Sequence, residues 1–154
     1  MGFDPSRMTF AVAVHVLTAL SKSTWDKKIE AYKKWGLTDD GFLTVFKKYP
    51  LCMKVSENKI DEVMDWLVNN TDCGSSLFVR RPEVVSMSVK KRLIPRNAVY
   101  QALLSNGFIT SKDTRLEEAL LLLSEARFLK KVLSYQEVAP ELLKLYKEKL
   151  DLAK

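Results

Sequence analysis

A chain of 154 residues that is 47% hydrophobic and 29% charged can bury a sizeable core, and with only 5 Gly and 5 Pro it is neither a flexible linker nor a disordered tail. Two cysteines, Cys52 and Cys73, and one distant histidine, His15, exclude a disulfide framework and any recognisable zinc spacing; reduced thiols are the plain reading. The formal charge of +6 points toward acidic partners, and the longest apolar run, Phe10 to Leu17, is broken by His15 and too short to span a membrane.

Leu, Lys, Glu and Ala dominate long periodic segments, so the fold class expected is all-α. Asp4 suits an N-cap and Pro5 the first helical position, which predicts a largely apolar, buried helix over Arg7 to Leu20. Ser23 or Thr24 is expected to cap the next helix. Its Trp25, Ile29, Tyr32 and Trp35 recur at spacings of four, three and three and so form a core face, with Lys27, Lys28, Glu30, Lys33 and Lys34 outside it. Gly36 reads as its C-terminal stop, with Leu37 as the hydrophobic contact that follows.

Thr38 is predicted to cap a short helix from Asp39 to Lys48, ended by Pro50. Leu51 to Val55 is too short for an ordinary helix and predicts a tight turn or 3-10 segment that inserts apolar side chains. Ser56 caps a helix through Ile60, Val63, Met64 and Leu67. The order then recurs: Ser75 or Ser76 as cap, a short helix, Pro82, an inserted turn over Val84 to Met87, and Ser88 as the next cap. A helix from Val89 to about Ser105 contains Pro95, which predicts a kink, and Gly107 ends it.

Sliding the chain over itself by 32 residues makes this recurrence explicit. Val45, Phe46, Pro50, Met53, Val55, Ser56 and Lys59 fall on Leu77, Phe78, Pro82, Val85, Met87, Ser88 and Lys91. A weaker upstream copy places Thr24 on Ser56 and Lys27 on Lys59, with Thr18 where a proline would be expected. The expected organisation is one continuous domain. Residues 1–107 hold about three stacked helical repeats, the first incomplete, and residues 108–154 form a helical cap with segments at Leu116 to Leu123, Phe128 to Leu133 and a last helix entered at Pro140.

The charge is concentrated rather than spread. Residues 80–96 carry Arg80, Arg81, Lys90, Lys91, Arg92 and Arg96 against Glu83 alone, six cations to one carboxylate, a net +5. Such a local patch is the footprint of a phosphate-backbone binder, and an acidic membrane or protein would be attracted by the same field. The carboxylates Asp39, Asp40, Asp61, Glu62 and Asp65 sit at surface-like helix positions without acid/base or metal partners, and no Gly-rich phosphate loop occurs. Neither an enzyme nor a cofactor, a metal or a small-molecule substrate is expected.

The segments SKSTWDKKIEAYKKWGLTDD, FKKYPLCMKVSENKI, MDWLVN and RRPEVVSMSVKKRLIPR, in that order, resemble the plant branch of the mitochondrial transcription termination factor (mTERF) family, over about residues 2–146. The resemblance implies a solenoid of repeats, each two helices and a short 3-10 turn, whose basic groove receives double-stranded nucleic acid. It further implies a role in mitochondria or chloroplasts, in transcription termination or initiation or in RNA processing such as intron splicing. By match to the family's repeat, Pro50 and Pro82 are structural, and the lysines and arginines after Ser56 and Ser88, including Lys90, are binding candidates. The few repeats and the lack of a visible transit peptide depart from the family: either the groove is incomplete or N-terminal repeats have been lost, and the chain reads as the C-terminal portion of a longer protein.

Binding of double-stranded DNA or structured RNA would then be chiefly electrostatic, by a monomer and without a membrane. Lys27, Lys59, Lys91 and Arg92 recur along the stack, and Arg80, Arg81 and Arg96 add to one end. Neutralising about five phosphates implies a slope near −4.5 in log K against log salt. Losing the charge at Lys91 and Arg92 is expected to weaken binding without unfolding the stack. Two other readings stand beside this one. Lys47, Lys48, Arg80 and Arg81 lie in last helical turns, where cations are favoured without any ligand, and a helical-repeat adaptor would use the same surface for a protein partner.

Overall fold

The computed structural model describes residues 2–110 and 113–154, which form helices and turns, with no strand among the described residues. None of these helices is long and apolar enough to cross a membrane. The chain divides into two compact units, residues up to Asn69 with Gly74–Ser86, and Asn70–Cys73 with Met87–Lys154. The third repeat is therefore divided, its short helix and 3-10 turn in the first unit and its long helix in the second.

The first unit begins with α1 (Met8–Ala19), α2 (Lys22–Lys33) and α3 (Asp39–Lys48). Asp4 does not cap α1. Its carboxylate accepts from the backbone N–H and hydroxyl of Ser6, at 3.0 and 2.6 Å, and closes a separate turn before the helix. The burial expected of α1 is also limited: Ala13 and Val16 are buried, while Met8, Val14 and Leu17 are exposed.

Ser21, rather than Ser23 or Thr24, caps α2 by accepting from the Thr24 N–H at 3.1 Å. The helix therefore starts earlier than expected, and Lys28 lies one turn before Tyr32 on the inward face. Lys28 is buried, correcting its outward assignment; its ammonium donates to the Val55 carbonyl, and burial holds its pKa down. Gly36 ends the segment at a φ of +91°, in the left-handed region open to glycine, and Leu37 is buried after it.

Thr38 caps α3 through the Gly41 N–H at 3.1 Å, as predicted. The 3-10 turn Pro50–Lys54 follows and buries Cys52 and Met53, and Ser56 then caps α4 (Glu57–Asn70) through the Lys59 N–H. The next repeat reproduces this order with α5 (Ser76–Arg80) and the 3-10 turn Pro82–Ser86. Tyr49 and Arg81, 32 residues apart, close α3 and α5 with nearly the same backbone, φ/ψ −146°/78° and −133°/73°. The proline that follows each cannot donate to a continuing helix, which explains why both helices stop there.

Aromatic packing joins the repeats inside this unit. Tyr32 stacks on Phe78 with centroids 5.1 Å apart and planes 8° from parallel, and Trp25 meets Phe46 edge-on at 5.2 Å. The Tyr32 hydroxyl donates to the Cys52 carbonyl at 2.6 Å, satisfying a buried oxygen of the inserted turn.

In the second unit, Ser88 caps a π turn (Val89–Leu93) that leads into α6 (Ile94–Ser105). The bend expected at Pro95 takes this form. Leu93 N–H reaches back five residues to the Ser88 carbonyl at 3.1 Å, so the wider turn occupies the stretch where a proline ring would crowd an α-helical carbonyl. Three helices complete the unit: α7 (Thr114–Leu122), α8 (Glu125–Leu133) and α9 (Glu141–Asp151). Their core joins Val99, Tyr100 and Leu103 of α6 to Leu120, Phe128, Val132, Leu142 and Tyr146. Glu117 is fully buried in the first turn of α7, where its carboxylate accepts from the backbone of Asp72 and Cys73 at 3.1 and 3.0 Å.

Candidate nucleic-acid interface

The eight cations singled out from the sequence fall into four environments. Lys27 is exposed, but it lines a groove of about 450 Å3 with Asp26, Glu30, Lys34, Glu57 and Asp61, in which acids outnumber lysines. The groove is poorly suited to phosphate. Asp61 is held below the usual carboxylate range, chiefly by the Trp35 indole N–H at 2.8 Å, and keeps its negative charge there. Lys27 also loses its repeat equivalence. With Ser21 as the cap, the residue matching Lys59 three positions on is Thr24, and Lys27 lies six positions on.

Lys59, half-buried, is paired with Glu62 at 2.9 Å. Arg80 donates to the Ser76 hydroxyl at 3.0 Å, and Arg81 is paired with Glu83 at 2.8 Å. Both arginines are exposed in or just after the last turn of α5, where the helix dipole favours cations.

Arg92 and Arg96 point inward, contrary to their assignment to a basic surface. Arg92 donates to the carbonyls of Leu121, Leu122 and Leu123 at 3.3, 3.0 and 2.8 Å, filling acceptors that the end of α7 leaves open. Arg96 is 1% exposed; it donates to the carbonyls of Leu120, Leu121 and Leu123 and pairs with Glu125 at 2.8 Å. These two guanidiniums hold the α7–α8 corner. Burial, followed by the neighbouring Arg96 charge, lowers the Arg92 pKa.

Lys90 and Lys91 remain. Both are exposed on the π turn, and neither ammonium has an ion-pair partner among the described residues. The Ser88 hydroxyl fixes the start of that turn by accepting from the Lys91 N–H at 3.1 Å. Two neighbouring exposed charges on a capped turn can meet phosphates at low cost in backbone order. Lys149 joins them: it lines one concavity with Lys90, although the sequence alone did not single it out. No local signal could have done so, because the two lysines come from elements far apart in the chain.

The pattern that defines the mTERF family matches residues 12–129. The chain belongs to the mTERF family. That span runs from within α1 through α7 into α8, and both prolines that the family resemblance makes structural, Pro50 and Pro82, are buried at the start of 3-10 turns. No curated protein and no solved structure matches the chain significantly. For an mTERF chain the expected activity is nucleic-acid-binding regulation of organelle gene expression.

Proposed function

We propose that this mTERF chain, read as stacked helical repeats closed by a C-terminal helical cap, regulates organelle gene expression by binding double-stranded DNA or structured RNA. Transcription termination or a related regulatory step, in a mitochondrion or chloroplast, is the role. Family membership over residues 12–129 is the observation that carries this reading. The exposed pair Lys90 and Lys91 supports phosphate contact, and the reading requires no catalysis, only position and charge.

The test is a fluorescence-anisotropy titration of labelled duplex DNA and RNA at several salt concentrations, with Lys90→Glu/Lys91→Glu beside the wild type. Both substitutions lie outside the core, so helicity should be unchanged. A wild-type slope of about −2 or steeper in log K against log salt, with most binding lost in the variant, is the expected result. Absence of binding by the folded wild type overturns the reading.

An adaptor for a protein partner is the second reading, favoured by the apolar side chains Met8, Val14 and Leu17 left exposed on α1. Its partner would bind with little dependence on salt.

A further inference from the structure

Within the second unit, a concavity of about 300 Å3 is lined by Lys90 and Ile94 from the π turn and the start of α6, and by Lys149, Leu152 and Ala153 from the end of α9. Ile94 and Leu152 are both exposed, Leu152 at 80%, so neither is placed there by the needs of the core. The neighbouring acids on α9 are engaged elsewhere: Glu148 faces Lys144 at 3.8 Å, and Asp151 pairs with Lys154 at 2.6 Å. Lys149 and Lys90 therefore present their charge without an ion-pair partner among the described residues.

We propose that this concavity is a phosphodiester subsite of the nucleic-acid interface. One backbone phosphate sits between the ammoniums of Lys90 and Lys149, and the adjoining sugar lays its C–H face against Ile94 and Leu152. The proposal rests on the nucleic-acid reading above and adds Lys149 as a phosphate-binding residue. Two point charges flanking an apolar floor suit a phosphate attached to a sugar better than a free anion, which gains nothing from the floor. A membrane surface is a poorer match. The polar side of α9 carries Glu141, Glu148 and Asp151 among its lysines, and no Trp or Phe is available there as an interfacial anchor.

Lys149→Glu is compared with Lys147→Glu, which makes the same change of charge on an exposed position of the same helix but does not line the concavity. Lys149→Gln is included because it removes the charge without placing an acid at a helix C-terminus. Each is titrated with a labelled duplex over a salt series, and each is also tested with phosphatidylserine vesicles. The expected result is a salt slope shallower by about 0.9 for both Lys149 variants, with severalfold weaker binding, and a smaller effect for Lys147→Glu. Equal effects at positions 147 and 149, in a wild type that binds, overturn the subsite and leave the nucleic-acid reading intact. Vesicle binding that depends on Lys149 while duplex binding does not would overturn it in favour of a lipid headgroup. A wild type that binds no duplex overturns the subsite together with the reading beneath it.

Discussion

The guanidinium of Arg96 lies over the ring of Phe128, 4.6 Å from its centroid, inside the second unit's core. The contact joins a cation to an aromatic face that is itself buried, and the same guanidinium reaches both the end of α7 and Glu125 at the start of α8. A basic residue counted toward a ligand-binding patch is thereby a structural one.

Replacing Arg96 with Met should destabilise the protein by about 2–3 kcal/mol, because carbonyls at the end of α7 lose their donors and the ion pair is broken. The cost stays below that of a fully buried pair because the Glu125 side chain, 55% exposed, can return to water. Lys91→Ala should change stability by no more than about 0.5 kcal/mol, as expected of an exposed side chain. Urea unfolding midpoints decide between them, and equal shifts would refute the structural role. Arg92→Ala should also lower the midpoint, so weaker nucleic-acid binding by an Arg92 variant would not by itself identify a phosphate contact.

Ser21→Ala should cost about 1 kcal/mol, and Ser23→Ala well under half of that, since Ser21 alone provides the cap of α2. Thermal unfolding of the two variants measures the difference. A larger loss at Ser23 would restore the later helix start and, with it, the equivalence of Lys27 and Lys59.

Local signals made the repeats legible. Thr38, Ser56 and Ser88 cap where their sequence context placed them, Pro50 and Pro82 stop helices, and Gly36 and Gly107 end them with positive φ. Sign and depth of charge were harder to read, because whether a lysine or arginine faces solvent depends on residues far along the chain. One signal was available: Val89, Leu93, Arg96, Tyr100 and Leu103 recur at spacings of four, three, four and three, which puts Arg96 on the apolar stripe. Reading the segment by its net charge obscured that periodicity. Glu117 carried no such warning, since its partners are backbone N–H groups of Asp72 and Cys73, more than forty residues upstream.

Acid should weaken the α7–α8 corner. Burial acts to raise the Glu125 pKa, but hydrogen bonds from Tyr146, at 2.8 Å, and Arg96, with the charges of Arg96 and Arg92, outweigh it and hold the carboxyl below the ordinary glutamate value. A depressed folded-state pKa contributes stability above the unfolded value, about 4.3, and loses it as pH falls through the folded value. Glu125→Gln should therefore be less stable than the wild type at pH 7, and the gap should close toward pH 3. Urea denaturation of both proteins across that range tests this; a gap independent of pH would mean that the carboxylate charge contributes nothing.

Cys52 should be chemically silent in the folded protein. Burial pushes its thiol up to about 12, so almost no thiolate exists near neutrality, and the side chain is closed to solvent on the inserted 3-10 turn. Opening that turn is the route to reaction, and the Tyr32 hydroxyl on the Cys52 carbonyl is one of the bonds that resists it. Tyr32→Phe removes this donor, leaves the carbonyl unsatisfied and should destabilise by about 1–2 kcal/mol. Its alkylation by iodoacetamide at Cys52, followed by mass spectrometry in native buffer, should be faster than that of the wild type by roughly the factor that this free energy implies, about 5- to 30-fold. If both proteins were modified at the rate of a free thiol, Cys52 would be exposed in solution, and the inserted turn could not be the packed element that joins the aromatic core.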